Sequence, residues 1–129
     1  MSEKPHDAPF VIGTYQLGWR NIEVFADPTE RGGAFYFAPE PGKLSRIRVG
    51  MDYAEIRDAW SVLQHEALEM LMADHGARYL KSGSFCAGAS DAYSFYFDHN
   101  QLTEIAAKLG HFTFDVHDDF SAAWALVHV

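Results

Sequence analysis

Cysteine is nearly absent: the 129-residue chain has one, Cys86, so it can form no internal disulfide and offers no second thiol for a metal cluster. A reducing compartment is the expectation. Long apolar runs are missing too. No stretch reaches the roughly 20 residues that span a bilayer. The opening MSEKPHDAPF has no apolar core of the secretory kind, so a soluble cytoplasmic protein is expected. Basic residues are few. Ten Lys and Arg stand against 18 Asp and Glu, a formal net charge of −8, and Arg46 and Arg48 are the only close pair on an expected strand. Phosphate backbones are held by clustered cations, so nucleic acid is not the expected partner. Repeats, low-complexity tracts and Pro/Gly/Ser linkers are also lacking. One domain over residues 10–129 is expected, behind a flexible tail over 1–9.

What is present suits an ordinary globular core. Hydrophobic residues make up 48% and aromatics 15%, and many of the aromatics sit in alternating runs, which favours strands. FVIGTYQ, NIEVFA, GAFYFA and SRIRVGM read as four strands separated by turn-rich segments. Short turns favour antiparallel pairing. Asp52 with Glu55 has the spacing of a capping box, and Gly76 stands where a C′ glycine belongs, so a long helix is expected over about residues 53–75. ARYLKSG and DAYSFYF add two strands around the glycine-rich SGSFCAGAS. Asp98 with Gln101 opens a short helix over 99–109, closed by Gly110. HFTFDVH is ambiguous between strand and coil, and Asp118 or Asp119 caps a last helix bearing Phe120, Trp124 and Val127. The expected fold is α+β: an antiparallel or mixed sheet against one long central helix, with two shorter C-terminal helices.

On the long helix, Ile56, Ala59, Trp60, Leu63, Ala67, Met70 and Leu71 form the core stripe at 3.6-residue spacing. His65 and Glu69 lie near the opposite side, four residues apart and therefore neighbours. Val62, Leu68 and Met72 flank them, so this second face is expected to be covered in part. Two donors at i and i+4 can share one ion without bending a helix, and Glu66 beside them is placed to polarise a metal-bound water. Chance placement gives roughly 0.03 H-E-x-x-E matches in a chain with this His and Glu content. The plain alternative is an ordinary His65–Glu69 surface pair. Three residues compete as third ligand. His99, at the first turn of the next helix, is preferred over His75, which is about 15 Å along a straight helix from His65. Glu104 faces away, in register for an exposed pair with Lys108. The expected set is His65, Glu69 and His99 as metal ligands and Glu66 as general base, with zinc as the ion.

SRIRVGMD followed by YAEIRDAWSVLQHEALEML resembles the edge strand and active-site helix of zincin metallopeptidases, over about residues 46–75. SDAYSFYFDHNQLTEIAAKLG is similar to a part of small uncharacterised phage and prophage proteins, a likeness covering about 53–128. The zincin resemblance implies a zinc-dependent peptidase or hydrolase with His65 and Glu69 as ligands and Glu66 as base. Glu69 in place of the usual second histidine departs from that pattern. Two other functions fit the residues. One is an acidic binding protein, an inhibitor acting on a basic host factor. The other is a self-associating domain with Phe114 and Trp124 buried between subunits. His117 with Asp115, Asp118 and Asp119 makes an acidic cluster of a kind that holds a hard cation, but it reads first as an exposed helix-capping loop, and neither Cys86 nor Ser82, Ser84 and Ser90 sits in a nucleophile motif.

Overall fold

The computed structural model describes residues 7–40, 42–80 and 93–129. Cys86, Ser82, Ser84, Ser90 and His6 lie outside them. Six strands and two helices follow one another as β1 (Phe10–Leu17), β2 (Arg20–Asp27), β3 (Gly33–Tyr36), β4 (Ser45–Gly50), α1 (Ile56–Asp74), β5 (Arg78–Leu80), β6 (Tyr93–Phe95) and α2 (His99–Val127). β1 to β4 form one sheet in the order β1-β2-β4-β3, and β5 and β6 form a separate antiparallel pair.

The larger sheet is mixed. β1 runs antiparallel to β2 and β3 antiparallel to β4, but β2 and β4 are parallel. β4 does not follow its neighbour in sequence into a simple meander: it slots between β2 and β3. Its inward residues Ile47 and Val49 are fully buried there beside Ile22, Val24 and Ala26 of β2, as a central strand needs. SRIRVG is therefore not an edge strand. The edges are β1 and β3.

α1 lays Ala59, Leu63, Ala67, Met70 and Leu71 on the inner face of the sheet, all of them fully buried. Ile56 and Trp60, at the start of the stripe, are only partly covered. The helix begins three residues later than its capping box suggests: Glu55 is the N-cap and makes no side-chain cap bond. Its end matches expectation. Gly76 takes a φ of 68°, its N–H bonds to Ala73 O at 3.2 Å and that of Ala77 to Met72 O at 2.8 Å. This pair of bonds is a Schellman stop, which needs a left-handed residue that glycine supplies without strain.

The C-terminal part departs most from expectation. The two shorter helices are a single helix of 29 residues. Asp98 and Gln101 do form the capping box at its start, with reciprocal bonds of 2.8 Å. Gly110 does not end it. The buried stripe Ile105, Phe112, Val116, Phe120 and Ala123 runs unbroken past that glycine, and burial of this stripe outweighs the local helix-breaking tendency of one glycine. The apparent alternation of HFTFDVH is helical: Phe112 is buried, while Phe114, two residues on, is 85% exposed. Asp119 is no cap but a mid-helix carboxylate that accepts the Tyr15 hydroxyl at 2.6 Å, tying α2 to β1. That carboxylate, together with burial, pushes the Tyr15 hydroxyl well above its ordinary pKa, burial contributing most. Among the described residues no helix is long and apolar enough to cross a membrane.

Candidate functional site

The second face of α1 is where the sequence directs attention, and it divides into two sides. On one side Glu69 sits between His65 and Arg78. His65 Nε2 lies 3.3 Å from Glu69 Oε2, and Arg78 Nε lies 3.2 Å from Glu69 Oε1. The His65 side chain is 70% exposed and that of Glu69 only 19%. Arg78 comes from β5, and its guanidinium stacks 3.6 Å over the Tyr93 ring of β6 and 5.3 Å from the Phe35 ring centre of β3. Its Nε is buried and its N–H is not directed at any acceptor, so the contact with Glu69 is electrostatic rather than a hydrogen bond. His65, Leu68, Glu69, Met72 and Phe95 line an open, mainly apolar pocket of about 250 Å³. Phe95 thus gives the partial cover expected of this face.

On the other side is Glu66, only 8% exposed. It has no hydrogen bond or ion pair among the described residues. Burial pushes its carboxyl above the ordinary range, with Glu69 adding to the rise and His65, Arg48 and Arg78 offsetting part of it. Each neighbouring cation already has an anion: Arg78 faces Glu69, and Arg48 of β4 lies 3.8 Å from Asp27 of β2. Among the described residues Glu66 is the charge left over. Together with Ser61, Val62, His65, Gly32 and Gly33 it lines an open surface depression of about 360 Å³ beside β3.

The approach of β3 to α1 depends on Gly33. A Cβ there would lie 2.8 Å from Arg48 O and from Val62 Cγ1, and 2.9 Å from Glu66 Cγ. No side chain fits, so the backbone passes directly over Glu66. Among the described residues β3 pairs with β4 on one side only. The Gly50 N–H bonds to Gly32 O at 2.7 Å, which fixes the phase of the ladder. Residues 34 and 36 therefore bond toward β4, and Gly33 and Phe35 turn their N–H and C=O groups to the open edge.

The expected ligand set is brought together only in part. His65 and Glu69 meet. His99, at the first turn of α2, is exposed, and among the described residues no group of three or more His, Cys, Asp or Glu side chains is arranged to hold a metal ion. The donor set fits zinc poorly for a second reason, because Arg78 places a fixed cation on the carboxylate that would have to ligate it. His75 and Glu104 are engaged elsewhere. Lys108 Nζ is 2.8 Å from His75 Nε2, and Glu104 Oε2 is 3.5 Å from His75 Nδ1. The expected exposed Glu104–Lys108 pair is thus bridged by the imidazole at the end of α1. Arg78 and Gly33 were not legible as site residues. Arg78 reads in sequence as one strand residue among others, and Gly32-Gly33 as a turn. No family model, curated protein or solved structure matches the chain.

Proposed function

We propose that the protein is a protein-binding domain that takes an extended segment of a partner along the open edge of β3, beside Glu66. The observation that carries this reading is the buried Glu66 carboxyl, which has no partner among the described residues and opens on a surface depression next to an unpaired strand edge. Unpaired strand edges recruit extended chains through main-chain bonds, while side-chain pockets beside them give selectivity. The formal charge of −8 favours encounter with a basic partner, in keeping with an acidic inhibitor of a host factor. Amide chemical-shift mapping with short β-forming peptides tests it. Shifts concentrated at Gly33 and Phe35 are the expected result. Binding that leaves β3 unperturbed contradicts it.

A second reading, a zinc-dependent hydrolase of zincin kind, is favoured by the His65–Glu69 approach of 3.3 Å with Glu66 adjacent. Elemental analysis of untagged protein beside His65→Ala decides it. About one zinc per chain, lost in the variant, supports the hydrolase, and no metal in either removes it.

A further inference from the structure

The proposed edge docking leaves open what kind of side chain the partner brings to Glu66. The charges around it answer this. Among the described residues Arg78 is matched by Glu69 and Arg48 by Asp27, so the local balance ends one cation short at Glu66. His65 offsets part of the burial at Glu66, but its Nε2 is turned to Glu69 and its side chain is mostly exposed, so it makes no ion pair with Glu66. A mostly buried carboxylate with no ion pair of its own gains from a counter-charge, and His65, Arg48 and Arg78 offset only part of the burial of Glu66. The geometry indicates where a counter-charge would enter. A strand added to β3 would lie about 4.8 Å from it, and a residue opposite Gly33 would project its side chain to the same face as the missing Gly33 side chain. That face is the one on which Glu66 Cγ lies 2.9 Å from an ideal Gly33 Cβ. Gly33 has no side chain to obstruct the path, and an open surface depression of about 360 Å³ lined by Ser61, His65 and Glu66 leaves room beside the carboxyl.

We infer that the partner segment carries a cationic side chain, a lysine or arginine, which enters this depression and pairs with Glu66. The inference rests on edge docking at β3, and it makes Glu66 a recognition carboxylate rather than a general base. An ammonium held there forms a charge-assisted bond in a partly desolvated site, where selectivity between charged and neutral side chains is greatest.

The test uses the full chain and two seven-residue Thr/Val peptides, one with a central lysine and one with norleucine in its place. Binding is followed by amide shifts. The lysine peptide is expected to bind on the order of ten-fold more tightly. Its shifts should reach Ser61 and Glu66 as well as Gly33, and Glu66→Gln should erase the preference. Equal binding of both peptides along β3 overturns the cation pocket and leaves edge docking standing. Binding of neither peptide at millimolar concentration overturns both. A lysine preference that survives Glu66→Gln removes Glu66 as the receptor. The comparison of the two peptides on the unaltered chain does not depend on any variant folding.

Discussion

Glu66 and Glu69 are three residues apart on one helix, yet their surroundings make them different chemical objects. Glu69 lies between an exposed imidazole and a guanidinium stacked on Tyr93. Glu66 is buried under a strand that has no side chain to give it. The sequence shows both carboxylates and the i,i+4 partner His65, because helical spacing is a local property. It does not show Arg78, which is nine residues past Glu69 and reaches it only once β5 has folded back. Nor does it show that Gly33 is a packing requirement rather than a turn residue. That role follows from β3 passing over α1, which is a matter of tertiary structure. Gly33→Ala is therefore expected to destabilise the fold by roughly 1–3 kcal/mol, because backbone on one side and helix side chains on the other must both move. Denaturant unfolding measures it. A change of only a few tenths of a kcal/mol would mean that β3 and α1 are not in this close contact.

At the scale of elements, all six strands and the end of α1 were legible, since alternation, turn residues and a C′ glycine are written locally. The order of strands was not. Sequence neighbours with short turns suggest hairpins, whereas β4 enters between β2 and β3 because Ile47 and Val49 are best buried at the centre of the sheet. The same contest between local signal and burial decides α2. Gly110 and Asp118 look like punctuation, but the apolar stripe from Ile105 to Ala123 continues across them and keeps one helix. A direct consequence concerns Gly110. Among the described residues no atom other than its chain neighbours and its own helix lies within 4 Å of where its Cβ would be. In a continuous helix Gly110→Ala should then stabilise the protein by about 0.5–1 kcal/mol, through reduced freedom of the unfolded chain. Thermal or urea unfolding reads this out. Destabilisation instead would point to a helix that ends at Gly110.

For the molecule as a whole, composition states the acidic balance and the mixed α/β content, but not where an unmatched charge sits. That depends on how cations and anions pair across β2, β4, α1 and β5, and among the described residues the result is a mostly buried Glu66 with no hydrogen bond or ion pair of its own. Such a group makes folding depend on pH in a definite direction. With the folded-state pKa of Glu66 raised, mainly by burial, the folded chain holds that proton more tightly than the unfolded chain does. The contribution is fully present below the ordinary glutamate pKa and is lost as pH rises through the raised value. Replacing the carboxyl by an amide removes that loss. The decisive measurement is the melting temperature of the protein and its Glu66→Gln variant at pH 4 and pH 7. The variant should melt higher at pH 7 and nearly alike at pH 4, as expected of a residue kept for an outside partner at the expense of stability. A variant that melts lower at pH 7 would show that Glu66 already has its partner inside the chain, and would contradict both the proposed docking site and its cation pocket.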